Sequence, residues 1–230
     1  MNSFLINSVY MGIAISLAAY GTGVLLHKKF PYPLVNPLLI SIAITIIILL
    51  VFKVDYTSFN NSAKYLSYLI TPATVALAVP LYRNLTLLKK NIKAIIAGLA
   101  CGTFSGLAAI FILAKLFRLD HQQYVTLLPK SITTAVGMDL SKEMGGIVTI
   151  TVACIVVTGI LGTIIAEPVY KLLRIKSPVS KGLGLGAGSH VMGTSKAMEL
   201  GEVEGAMSSL AIVVCSLITV IGASVFAGLI

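Results

Sequence analysis

Leu127 to Lys142 reads LLPKSITTAVGMDLSK, and the reading of this stretch decides the fold. It lies between strongly apolar segments, yet carries Pro129, Lys130, Ser131, Thr133, Thr134, Gly137 and Asp139. A plain membrane helix would exclude most of these residues. A loop in water would not need the apolar ones between them. Polar, broken backbone at membrane depth is tolerated only where it is buried in protein or lines a watery cavity. The stretch therefore reads as half of a substrate site.

The rest of the chain supplies the membrane. Of its 230 residues 57% are hydrophobic and only 11% charged, where a soluble domain carries about 25% charged residues. Mean hydropathy is +0.98, and several apolar runs are about 20 residues long, enough to cross the hydrocarbon core. The expected fold is an all-α integral membrane protein, a single polytopic domain over residues 1–230. The net charge of +9 gathers in short loops beside apolar runs, where Lys and Arg set orientation. Without a soluble face to carry it, this charge does not read as a nucleic-acid surface. Cys101, Cys154 and Cys215 all sit inside apolar runs without metal-ligand spacing, so they read as small buried hydrophobes and no metal or cofactor is expected. No Lys or Arg precedes Lys28. The N-terminus therefore lacks the basic start of a secretory signal and reads as a retained first span.

In chain order, spans are expected over about Phe4–Leu26, Leu34–Phe52, Ala94–Leu116, Gly146–Leu173 and Ala206–Ile230. Tyr65–Tyr82 contains Pro72 and Pro80 and should be kinked or discontinuous. Gly182–Met198, GLGLGAGSHVMGTSKAM, is too rich in glycine for an ordinary stable helix. The basic loops around Lys28, Arg83–Lys93 and Lys171–Lys181 belong on the cytoplasmic side. That places the N-terminus outside and the C-terminus in the cytoplasm, with about seven crossings. It also makes 123–141 a re-entrant hairpin entered from outside and turning near Pro129–Gly137; a full crossing there would put Lys171–Lys181 outside. The glycine-rich segment is then a crossing, and the acidic loop Glu199, Glu202, Glu204 is external.

Internal similarity strengthens the site reading. LITPATVALAVPLYRN from Leu69 sets Pro72 on Pro129 and Thr74 on Ser131 of the opening stretch. The following spans share A-C-x-x-x-[S/T]-G, at Ala100–Gly106 and Ala153–Gly159. The units are about 65–116 and 123–173, read as inverted repeats, with 182–230 a weaker third copy. Repeated units with Pro- or Gly-interrupted segments in matching places point to a secondary transporter's binding site.

Broken helices expose backbone N–H groups and a positive dipole end that suit a carboxylate. Hydroxyls come from Ser131, Thr133, Thr134, Ser189 and Thr194, and positive charge from Lys130 and Lys196. With Pro72, Thr74 and Pro129 these are the substrate-site candidates. His190 stands between apolar flanks and can bond a substrate or carry a proton. Asp139 and Glu167 are weaker proton-coupling candidates, and His27 and His121 read as solvated loop residues. No HExxH, CxxC or strand-to-helix GxGxxG is present, so no enzyme is expected.

TPATVALAVPLY, LLPKSITTAVGMDLSKEMGG and GLGLGAGSHVMGTSKAMELGEVEGAMSSLA together resemble the LrgB/CidB family of bacterial inner-membrane proteins, which includes YohK-like members. The second motif is more similar to CidB. The resemblance runs from about Asn36 to the C-terminus and leaves the first span the least similar part. It implies either of two functions. One is holin- or antiholin-like modulation of murein hydrolase activity and cell lysis, with a smaller LrgA/CidA-type membrane partner. The other is transport of small monocarboxylates such as pyruvate or glycolate. The broken segments and their hydroxyls favour transport as the expectation. The Gly102/Gly106 pair would permit packing into a homo- or hetero-oligomer.

Overall fold

A computed structural model describes residues 8, 10–30, 35–76 and 78–230, with the side chains of all but Ile70, Thr71, Thr74, Pro80 and Leu81. The described secondary structure is wholly helical. The starts expected at Phe4 and Leu34 lie outside these residues. The chain packs as two units, Met1–Ala76 and Leu77–Ile230.

The first unit holds α1 (Met11–Lys29), α2 (Pro37–Val51), α3 (Tyr56–Ser67) and α4 (Ile70–Ala76). Local chemistry sets these boundaries. Asn36 caps α2 by accepting from the Leu38 amide at 2.9 Å, with Pro37 at the first position, where its missing N–H costs nothing. Asp55 caps α3 through the Thr57 amide at 2.9 Å. The α1–α3 contact is close because Gly12 has no side chain, and its amide donates to Ser62 Oγ at 3.0 Å. His27 is not a free loop residue: it ends α1 with its Nδ1 2.6 Å from the Val35 carbonyl oxygen.

The second unit contains α5 (Ala78–Arg83), α6 (Leu85–Phe117), α7 (His121–Leu127), α8 (Thr134–Glu143), α9 (Val148–Leu172), α10 (Pro178–Leu200) and α11 (Glu202–Ala227). The segment Tyr65–Tyr82 is discontinuous, as expected, but its breaks do not fall on Pro72 or Pro80. Each occupies the third position of its short helix, in a first turn where no intrahelical N–H is needed. Among the described residues three helices, α6, α9 and α11, are long and apolar enough to cross a membrane; α2 is apolar but shorter. Their outer faces carry apolar stripes at helical spacing, such as Val213, Leu217 and Ile221. Such a surface is costly in water and matched by lipid.

α6 and α11 run parallel. Ile95 and Leu99 meet Ala206 and Ala211 at one end, and Leu107 and Ile110 join Ala223 toward the other. The α11 seam is built from small residues, among them Gly205, Ala206, Ser208, Ala211 and Gly222, which lets backbones approach. α9 runs opposite to both, so Lys171 ends beside the start of α11.

Two helical hairpins lie against these helices and enter from opposite ends. In the first, α7 leads in and α8 leads back, and Gln122 Nε2 donates to the Gly145 carbonyl at 3.3 Å where the two limbs close. This is the hairpin expected from the loop charges over 123–141. The second hairpin is α10, and here the expectation fails. The helix breaks at His190, whose φ of 43° and ψ of −129° reverse the chain. Gly193 then lies on the Leu185 backbone, eight positions back, which a straight helix would hold far apart. Limbs 178–189 and 191–200 therefore start and finish at the same end. The glycine-rich segment does not cross. The acidic loop joins the basic end, where Glu202 lies 3.8 Å from Arg83, and the C-terminus lies at the opposite end from Lys171–Lys181.

Cys215 is buried as expected and Cys154 partly so, but Cys101 is exposed on the outer apolar face of α6.

Candidate functional site

The first hairpin is fastened at its open end, and its tip packs toward α9. Asp120 and Gln123 form a reciprocal capping box at the start of α7. His121 Nδ1 lies 2.7 Å from the Ile230 carbonyl oxygen, and Tyr124 Oη donates to the Phe226 carbonyl at 2.9 Å. Deeper in, a hydroxyl network ties it to α9. Thr151 Oγ1 donates to the Thr126 carbonyl at 2.9 Å and lies 2.6 Å from Ser141 Oγ, while Thr126 Oγ1 accepts from the Ile147 amide at 2.8 Å. Nothing in the motif reading singled out Thr126, Ser141 or Thr151, because isolated hydroxyls in apolar runs carry no spacing signal.

The tip is the turn at 128–133. Pro129 is buried, and its carbonyl accepts from the Ile132 amide at 3.3 Å. Lys130 Nζ donates to Ser131 Oγ at 3.1 Å, a half-buried pair. Thr133 takes the N-cap position of α8 in extended conformation, with its hydroxyl not used as a cap, and Thr134 opens the helix. The first amides of α8 thus face the tip without a side-chain cap.

The second tip is His190, with Ser189 before it; both are buried. A non-glycine residue at positive φ costs about 1–3 kcal/mol and persists only where its surroundings hold it. Here α9 holds it. His190 Nε2 lies 3.0 Å from the Ile155 carbonyl oxygen, and its ring covers Gly159, where any side chain would collide. Gly162 makes the same room for Ser189. On the far side of Ile155, its side chain packs where Gly137 of the first hairpin leaves space. The two tips therefore meet across Ile155 of α9.

The sequence-derived candidates divide accordingly. Pro129, Lys130, Ser131, Thr133 and Thr134 form one tip; Ser189 and His190 form the other. Thr194 is nearby but committed: its hydroxyl donates to the His190 carbonyl at 3.1 Å and lies 2.7 Å from Ser208 Oγ. Lys196 is not at a tip. It sits down the returning limb of α10, 3.0 Å from Glu167 of α9 and 3.3 Å from Glu199. Glu167 is thus an ion-pair partner at the hairpin mouth, and Asp139 is exposed on α8. Pro72 is exposed in the first unit, and the side chain of Thr74 lies outside the described residues. Among the described residues no cluster of His, Cys, Asp and Glu could hold a metal ion.

A family model described as the LrgB-like family matches residues 16–229. The antiholin-like protein LrgB of Bacillus subtilis (strain 168) is 36% identical over 224 residues, which cover 97% of this chain and 97% of that protein. The uncharacterized protein YxaC of the same strain is 36% identical over 206 residues, 90% of each chain. The antiholin-like protein LrgB of Bacillus cereus (strain B4264) is 35% identical over 213 residues, 92% of this chain and 93% of that one. No solved structure matches.

Proposed function

The chain belongs to the LrgB-like family, and from that premise we propose that it acts in the bacterial inner membrane as an antiholin-like protein, the role for which two of these relatives are named. In this reading it is a non-enzymatic partner of a smaller, LrgA/CidA-type membrane protein and tempers murein hydrolase activity and lysis. The observation that carries it is similarity over nearly the full length of both chains.

The paired hairpins favour a second reading, transport of a small monocarboxylate of pyruvate or glycolate size. The α7–α8 hairpin with α9, and the α10 hairpin with α11, run in opposite directions, which supports an inverted-repeat reading that pairs 123–173 with 182–230 in place of 65–116. Each tip presents the start of a helix, α8 at Thr134 and the second limb of α10 after His190. Helix starts carry unpaired N–H groups and a positive dipole end, which suit a carboxylate. Lys130, Ser131, Thr133 and Ser189 add donors, and in this reading His190 takes the coupled proton.

One reconstitution separates the readings. The purified protein goes into vesicles alone and with a hole-forming partner protein, and both labelled-pyruvate uptake and release of a large dye are measured. Antiholin-like action lowers the dye release that the partner causes. Transport gives saturable pyruvate uptake without dye release, weakened by Ser131→Ala with Thr133→Ala while membrane insertion is retained. Partner-driven dye release that is unchanged, with pyruvate uptake equal to that of empty vesicles, would overturn both.

A further inference from the structure

At the basic end of α9 a cavity of about 360 Å³ opens between the loop after α9 and both limbs of the α10 hairpin. Lys171, Arg174, Lys176 and Lys181 line it, with Tyr170, Ile175 and Leu200 giving apolar walls. Its one lining carboxylate, Glu167, is already held at 3.0 Å by Lys196. Among the described residues none of the four cations forms an ion pair. Glu167 also feels the charges of Lys171 and Lys181, but one carboxylate shared with Lys196 leaves the cavity with excess positive charge that an anion would offset.

The backbone shapes the cavity. α9 stops at Leu172, and Arg174 adopts a left-handed φ of 54° that turns the chain. The Ile175 amide then donates back to the Tyr170 carbonyl at 2.8 Å. Tyr170 Oη donates to the Lys181 carbonyl at 2.7 Å, which fixes the aromatic wall against the entering limb of α10.

We propose that this cavity binds the phosphate headgroup of an anionic phospholipid. The shared chemistry is a phosphate oxyanion, which Arg engages in fork geometry and Lys as a point charge. Three features favour a lipid over free phosphate: the site lies at the end of a membrane-length helix, it has apolar walls that acyl or glycerol carbons can cover, and basic pockets between membrane helices recognise such headgroups. Because Lys181 and Leu200 belong to opposite limbs of α10, an occupant ties the mouth of the His190 hairpin. The proposal does not rest on either function given above.

The test uses the full-length protein purified in detergent, with phosphatidylglycerol, phosphatidylcholine and inorganic phosphate as probes. Bound lipid is read by native mass spectrometry and stability by thermal unfolding. The native chain should retain phosphatidylglycerol over phosphatidylcholine and gain in Tm with it. Arg174→Gln with Lys181→Gln should lose roughly 25-fold in retention, about fivefold for each cation. Arg174→Lys with Lys181→Arg, and Lys28→Gln with Lys29→Gln, which do not line the cavity, should keep it, which separates loss of the site from loss of folding. Equal retention of the two lipids, or unchanged retention in the Gln pair, would overturn the proposal. Inorganic phosphate raising Tm as far as the lipid does would overturn the lipid assignment.

Discussion

The imidazole of His190 reaches from the apex of α10 to the carbonyl of Ile155 at 3.0 Å, and this bond joins a strained turn to the helix it abuts. Two terms oppose each other at this residue. The bond contributes about 0.5–1.5 kcal/mol, whereas positive φ in a residue with a Cβ costs about 1–3 kcal/mol. His190→Gly loses the bond but relieves the strain, so it should lie between about 0.5 kcal/mol less and about 2.5 kcal/mol more stable than the native chain. His190→Ala, which keeps the strain and loses the bond, should be less stable by about 1 kcal/mol. Thermal unfolding in detergent ranks them, and an alanine variant more stable than the glycine one would refute the account.

The hydroxyl network on α9 makes a sharper demand. Thr151→Val keeps the shape of the side chain but leaves Ser141 Oγ and the Thr126 carbonyl without their shared partner. A loss of about 1–3 kcal/mol is expected for a buried group left unpaired. Chemical denaturation measures it. A loss below about 0.5 kcal/mol would mean that water or a neighbour replaces the hydroxyl.

Glycines in this chain fall into two classes with opposite responses to alanine. At Gly186 a Cβ would meet the Ser208 carbonyl oxygen and the Ala211 methyl, so Gly186→Ala should cost about 1–3 kcal/mol by overpacking. At Gly98 on the outside of α6 a Cβ meets nothing, so Gly98→Ala should gain about 0.5–1 kcal/mol from helix propensity. Unfolding of the two variants side by side tests the packing: a shift of the same sign in both would contradict it.

Topology gives a prediction with a yes-or-no answer. Ser180→Cys and Glu202→Cys should be labelled by an impermeant thiol reagent from the same side of the membrane, and Glu143→Cys from the other. Labelling of positions 180 and 202 from opposite sides would restore a full crossing for the glycine-rich segment.

The ion pair at the hairpin mouth should be weak. Glu167 and Lys196 keep side-chain exposures of 44% and 28%, so solvent screens them. A double-mutant cycle with Glu167→Gln and Lys196→Met should give a coupling of about 0.2–1 kcal/mol, falling as salt is raised. A larger, salt-independent coupling would show a buried pair instead.

The first hairpin was legible in the sequence and the second was not, for a physical reason. Around 123–141 the polar residues interrupt apolar runs, and the cations on either side fix which end the segment must return to. Around 182–198 the cue was glycine content, which says that the chain can bend or pack closely but not where. The reversal depends on one residue, His190, held at positive φ by a carbonyl 35 positions earlier in the chain. The small-residue seam of α11 and the matching glycines of α10 were each readable; their pairing was not. Lys196 illustrates the converse. Its charge in an apolar setting suggested a ligand role, but the fold supplies Glu167 from α9 as its partner.

The α10 hairpin also constrains the order in which the chain can be assembled. Its limbs are too glycine-rich to enter a bilayer on their own hydropathy, and the Ser208 carbonyl and Ala211 methyl that close on Gly186 belong to a helix synthesised afterwards. A nascent chain halted at Gly201 would have the first hairpin and α9 in place, with half of the cradle for the second still unmade. The α10 hairpin cannot complete its packing until α11 has been made.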